Sequence, residues 1–200
     1  MQEALSQKKQ NWNPRPEDVD AHPERLWDWS YPQFMAGLIH PPYPHGAFQV
    51  IQEGRRMSFS SHDIDPFLWY GWSGAEPEFR WTDGHEAALD FGLEQISDLK
   101  CKLEANAFVV EGKVPFQHVS IELNGQQISD PVFDGHGKIE VSFVLPGALL
   151  KRRNILTFRI PNATSPASVG VGDDPRLLGL SVTSIEFDSN GAVPPPGASN

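Results

Sequence analysis

The sequence predicts an all-β chain: an antiparallel β-sandwich, jelly-roll-like, with a short N-terminal helical segment. Three observations predict it. Apolar residues recur at every second position through much of the stretch from Ala47 to Phe187, the period of strands with one buried and one solvated face. Turn formers are dense, with 17 Gly and 18 Pro in 200 residues, as short strands joined by tight loops require. Eight or so such strands at short spacing call for two packed sheets.

Residues 1–23 are polar without a usable period and read as an arm. PERLWDWSYPQFMAGLIH follows, where Gln33 to Ile39 can form a short helix with Pro32 in its first turn, ended by His40-Pro41-Pro42. HPPYPHG is an extended connector. The organisation expected is an arm with a short helix over 1–45, the sandwich over 46–188 and a flexible tail over 189–200, the GAVPPPGASN segment.

Within the sandwich, Ala87, Leu89, Phe91 and Leu93 alternate with polar or small neighbours, and so do Leu99, Cys101 and Leu103. Val119, Ile121 and Leu123 lead into Asn124-Gly125, a two-residue hairpin signal whose type I′ turn needs positive φ at both residues. Gln126 to Phe133 returns, with Pro131 restricting its end to an edge or bulge. Ile139 to Leu145, Leu156 to Ile160 and Leu178 to Val182 supply further strands. The last has a conflict built in. Leu178, Leu180 and Val182 share one parity, whereas Ile185 and Phe187 share the other, so a straight strand would expose one set. A bulge at Thr183–Ser184 resolves it and buries Leu180, Val182, Ile185 and Phe187 together.

The net charge of −10 argues against nucleic acid, whose phosphates demand a concentrated basic surface. No run approaches the ~18 apolar residues of a membrane-spanning helix, so no direct membrane insertion is expected. The lone Cys101 excludes an internal disulfide and a cysteine-based zinc site, and its place in an alternating run marks a buried thiol.

Chemistry concentrates in PFLWYGWSGAEPEFRWTDG, Pro66 to Gly84. Flat aromatic rings cover the C–H face of a pyranose while carboxylates and a guanidinium bond its hydroxyls. Trp72 and Trp81, each beside a turn, are the ring candidates, with Glu78, Arg80 and Asp83 as polar partners. The alternative is that the rings fill the core and the charges pair at its rim. A second long irregular stretch, Pro161 to Arg176, adds Asp173, Asp174 and Arg176 as groups that could reach a ligand. Glu76 and Glu78 are too close in sequence to face each other across a glycosidic bond, and no catalytic residue is assigned: the chain is expected not to be an enzyme. His62, Asp63 and Asp65 match no established ligand spacing, so no metal is assigned and no cofactor expected, structural calcium at a loop carboxylate being the one ion left open. Asn162-Ala163-Thr164 fits the glycosylation sequon, relevant only in a eukaryotic secretory context.

Three stretches carry a resemblance. PERLWDWSYPQF resembles a segment near the end of multi-pass bacterial membrane proteins related to glycosyltransferases. YGWSGAEPEFRWTDG resembles the signature opening a β-rich accessory domain of glycosyltransferase and phosphoglycerol-transferase-like proteins of surface polysaccharide assembly. NILTFRIPNATSP and GDDPRLLGLSVTSIEF resemble its closing strands. The resemblance spans roughly residues 24–188 and supplies no catalytic residues. It implies a non-catalytic carbohydrate-binding or polysaccharide-associated module, with a glycan and a membrane glycosyltransferase domain as partners. The alternative it leaves is a structural, protein-interaction domain that orients a membrane enzyme. MQEALSQKKQ lacks the apolar region of a secretory signal, so placement on the extracytoplasmic or periplasmic side of the envelope is expected only within a larger protein.

Overall fold

The computed structural model describes residues 49–135 and 137–189. The expected helix at Gln33–Ile39 and the tail from residue 190 onward lie outside them. The strands are β1 (Arg56–Ser58), β2 (Leu68–Tyr70), β3 (Trp72–Ala75), β4 (Arg80–Asp83), β5 (Glu86–Gly92), β6 (Leu99–Ala107) and β7 (Gln117–His118). They continue as β8 (Ser120–Leu123), β9 (Gln126–Ser129), β10 (Val132–Phe133), β11 (Ile139–Leu145), β12 (Arg153–Arg159) and β13 (Leu178–Ser189), and a 3-10 helix spans His62–Phe67.

The fold is an antiparallel β-sandwich. One sheet runs in the order β11-β6-β13-β4-β3, with β1 also on β13; the other runs β2-β5-β12-β8-β9; β10 and β7 form a separate two-stranded ribbon. The alternating residues meet between the sheets. Leu89, Phe91, Ile121, Leu123, Leu156 and Phe158 from one side pack against Leu99, Leu103, Leu180, Ile185 and Phe187 from the other. The rings of Phe91 and Phe187 lie 5.1 Å apart across that layer. Cys101 is buried among them, and burial pushes its thiol well above the usual range, the inert behaviour its position predicts.

Local chemistry sets the turns. Asn124 and Gly125 take φ of 52° and 82°, the positive pair that a type I′ hairpin requires, between β8 and β9. Asn124 also secures the neighbouring loop: its Nδ2 donates to Leu149 O at 2.8 Å, and Ile155 N donates to its Oδ1 at 3.0 Å. At Pro131 the return strand breaks as expected. β9 ends at Ser129 and the chain resumes as β10 on a different partner.

The conflict in β13 is resolved as its parity demands. Against β6, Val182 pairs with Ala105 but Ser184 pairs with Glu104, so Thr183 is the extra residue. The neighbours on the other edge change at the same point, β4 ending its pairing at Val182 and β1 beginning at Ser184. Phe59 N donates to Thr183 O at 2.9 Å, which keeps the bulged carbonyl satisfied. Leu180, Val182, Ile185 and Phe187 are all buried.

A second irregularity, not foreseen from the pattern, lies upstream. Leu178 pairs with Asp83 and Ser181 with Trp81, so Gly179 and Leu180 take up one extra residue against β4. The buried Thr82 hydroxyl accepts from Leu180 N at 2.9 Å. A Cβ at position 179 would stand 2.7 Å from Ile160 Cδ1, so glycine is needed for the close approach.

Candidate functional site

The aromatic segment folds as strands β2 to β4 rather than as a loop, and this sorts its residues. On β4, Arg80 and Thr82 are buried, so the alternating Trp81 and Asp83 lie on the opposite, outer face of their sheet. Trp81 heads a row across three strands, opposite Ser181 of β13, which in turn lies opposite Asn106 of β6. Two rings flank it edge-on: Phe79 at 5.7 Å and Phe108 at 6.2 Å.

The loop from Pro161 to Arg176 delivers charge beside this cluster. Its register is held by the Thr164–Leu178 bridge, and Gly84 N donates to Leu177 O at 2.8 Å. Arg176 Nε and Nη2 grip both carboxylate oxygens of Asp174, the closest contact being 2.6 Å. Asp174 Oδ1 also accepts from Arg176 N. Hydrogen bonding from Arg176 holds the Asp174 carboxyl below its usual range. The same bonding raises Arg176, with Glu76 and Asp83 adding to it through their charge. Glu76 Oε1 lies 4.0 Å from Arg176 Nη2. Two segments far apart in sequence thus bring Trp81, Asp83, Glu76, Asp174 and Arg176 together.

Two of the eight expected site residues are corrected. Trp72 belongs to the core, 7% exposed. Its Nε1 donates to Ala88 O at 2.8 Å, and it packs on Phe59 and Phe158 with ring centroids at 4.8 and 6.1 Å. A turn-adjacent position did not keep it at the surface, because as the first residue of β3 it points between the sheets. Arg80 is also directed inward, its Nη2 donating to Asp65 Oδ1 at 2.7 Å. Glu78 and Asp173 are exposed, Glu78 in the β3–β4 turn and Asp173 in the loop beside Asp174.

Asp65 explains the SHDID cluster. Burial pushes its carboxyl up, but hydrogen bonds from His62 and Arg80 outweigh this and hold it below the usual range. His62 Nδ1 is 2.9 Å from Asp65, and Arg55 pairs with Asp63 at 3.1 Å. These carboxylates anchor a 3-10 helix. No group of three or more His, Cys, Asp or Glu that could hold a metal occurs among the described residues.

Sequence reasoning missed Phe79 and Phe108. Phe108 follows Asn106 at outward parity just past the end of β6, and that parity was the available signal. It also missed an assembly on the outer face of the other sheet. There Arg159 bridges Glu86 and Glu122, and Tyr70 Oη donates to Glu86 at 3.3 Å. Burial, then the Glu86 charge, raises the Tyr70 phenol above its usual range. Its charges partner one another and leave less for a ligand than the Trp81 face does.

No helix among the described residues is long and apolar enough to cross a membrane. No protein-family model matches the chain, and no curated protein does. Solved structures with a similar course include the carbohydrate-binding module CBM36 in complex with calcium and xylotriose, 8% identical, TM-score 0.40, covering 67% of this chain and 99% of that one. A family 35 carbohydrate-binding module from an environmental isolate is 12% identical, TM-score 0.35, covering 73% and 87%. The GH26-CBM35 β-(1,4)-mannanase of Podospora anserina is 12% identical, TM-score 0.44, covering 70% of this chain and 28% of that one. At such scores these likenesses carry no argument about a ligand here.

Proposed function

We propose that this domain is a non-catalytic carbohydrate-binding module whose glycan lies against the Trp81 face. The observation that carries the proposal is the position of Trp81. It sits outside the sandwich core, between two edge-on rings, with Asp83, Glu76, Asp174 and Arg176 gathered beside it. Aromatic surface bordered by charged hydrogen-bonding groups suits a sugar, which presents an apolar C–H face and a rim of hydroxyls.

The finer proposal places the module with a glycosyltransferase system of bacterial envelope polysaccharide, on the extracytoplasmic side as part of a larger protein. Its support is the resemblance of the YGWSGAEPEFRWTDG and closing-strand segments. A protein-interaction role has one observation in its favour: Phe116 and Val132 expose 43% and 54% of their surface on or beside the β7–β10 ribbon.

The test is a glycan array followed by titration of hits while tryptophan fluorescence is watched. Trp81→Ala should weaken binding by about tenfold or more, as for an aromatic anchor, and a chelator should leave it intact. Undiminished binding by Trp81→Ala would remove the site from the proposal.

A further inference from the structure

We infer that the Trp81 face takes a cationic glycan, an oligosaccharide of hexosamine units bearing free ammonium groups, in preference to a neutral or uronate chain. The assignment rests on the carbohydrate reading above and names its ligand class. Three observations on different groups lead to it.

The first is charge. Glu76, Asp83 and Asp174 act on a single guanidinium, Arg176, which among the described residues leaves two negative charges uncompensated. Glu78 and Asp173 lie exposed in the same two segments and add to that surplus. The field at the aromatic cluster therefore attracts cations and repels carboxylates.

The second is the state of Arg176. A guanidinium recognises a sugar carboxylate by presenting its fork. Here Nε and Nη2 are committed to the two oxygens of Asp174 at distances from 2.6 to 3.1 Å, and Nη2 also faces Glu76. A uronate would have to displace a pair whose geometry is already bidentate. The basic residue that suggests an acid-binding site thus serves to position Asp174.

The third is hydrogen-bond capacity. Gln117 is wholly buried, and its Nε2 donates to Phe108 O at 2.7 Å, while its Oε1 has no partner. Asn106, in the same cross-strand row as Trp81, likewise has a buried Oδ1 without a partner. Buried acceptors ordinarily find a donor. Both of these acceptors border the residues that frame Trp81, whereas Arg80 Nε, the one buried side-chain donor without a partner among the described residues, belongs to a side chain directed to Asp65 and away from that face. An ammonium brings three donors and a positive charge, and an indole face attracts such a cation directly.

The experiment titrates the full chain calorimetrically with a glucosamine hexamer, its fully N-acetylated counterpart and a galacturonate hexamer. The glucosamine chain should bind about tenfold tighter than the N-acetylated chain, the combined effect of several partly screened charge pairs. Galacturonate should not bind. The preference should shrink as ionic strength rises and in Asp83→Asn, with circular dichroism verifying that this variant is folded. It should disappear in Trp81→Ala. Equal or tighter binding of the N-acetylated or galacturonate chain would overturn the inference and leave the carbohydrate reading standing. A preference that survives Trp81→Ala intact would also overturn it, by assigning the effect to net charge alone. Failure of all three chains and of every glycan on the array would overturn the carbohydrate reading itself.

Discussion

Inserting one serine between Ser184 and Ile185 should unfold the domain, whereas replacing the Thr183 side chain, or deleting that residue, should not. Thr183 is the extra residue between the Val182–Ala105 and Ser184–Glu104 pairs, so its removal leaves a regular strand with Val182, Ile185 and Phe187 still on one face. A further residue beyond the bulge instead turns every residue after Ser184 to the opposite face. Ile185 and Phe187, 0% and 1% exposed, would leave the core. Burial of each contributes about 1.5–3 kcal/mol, so roughly 3–6 kcal/mol is lost at once. Glu186 and Asp188, which pair with Lys102 on the outer face, would point between the sheets, at several kcal/mol more for each carboxylate. The total is on the order of 10 kcal/mol, comparable to the whole stability of a typical domain. Thr183→Ala keeps the backbone carbonyl that accepts from Phe59 N and should cost within about 1 kcal/mol, while deletion of Thr183 gives up that acceptor and should cost about 1–3 kcal/mol. Urea unfolding followed by circular dichroism distinguishes them. An insertion variant with a near-native midpoint and native near-ultraviolet signal would refute the account, since the strand would then tolerate either parity.

The two tryptophans should separate core from surface. Trp72→Ala should cost about 3–5 kcal/mol, a melting shift of roughly 10 °C in a domain of this size, while Trp81→Ala, which gives up two edge-on ring contacts, should cost about 1–3 kcal/mol; calorimetric melts of both check the order. Thr82→Val keeps the shape but leaves Leu180 N without an acceptor and should cost about 1–3 kcal/mol, read by the same melts. Asp65→Asn should destabilise the chain by about 1–3 kcal/mol at neutral pH, because it strips the counter-ion from buried Arg80. The folded carboxyl is held below its ordinary 3.8. Its contribution is therefore present above that value and lost as pH falls through the folded one. Urea midpoints of wild type and variant should differ by a constant amount above about pH 5 and converge in acid.

Period and turn chemistry made much of the fold legible. The Asn124-Gly125 turn, the break at Pro131 and the bulge at Thr183 all follow from residue types and parity, which are local properties. The Gly179–Leu180 irregularity was not legible, because its causes are the approach of Ile160 and the hydroxyl of Thr82, both remote in sequence. The site was legible in part for the same reason. Trp81, Asp83, Asp174 and Arg176 could be nominated by type, but only the register of β4 on β13 brings the two segments together. Trp72 shows the limit: its composition is that of a binding ring, and its burial is decided by a strand start that the aromatic run conceals. Arg80 is similar, because its counter-ion, Asp65, lies fifteen residues earlier in a 3-10 helix.

The Asn162 side chain spans the gap between its loop and the ribbon strand β7, its Nδ2 donating to Phe116 O at 2.7 Å and its Oδ1 accepting from His118 N at 3.0 Å. Both ends of the amide are thus employed as a latch. The same residue opens an Asn-Ala-Thr triplet that eukaryotic secretory machinery would modify as the chain emerges. An oligosaccharide attached there would occupy the space where the backbone of β7 now lies, and the latch could not close. Secretion from yeast or animal cells would consequently yield a mixture of sealed and sprung loops beside the Asp174–Arg176 pair. A bacterial host, or an Asn162→Gln change that abolishes the triplet, would alter the material in different ways, since only the first leaves the latch as built.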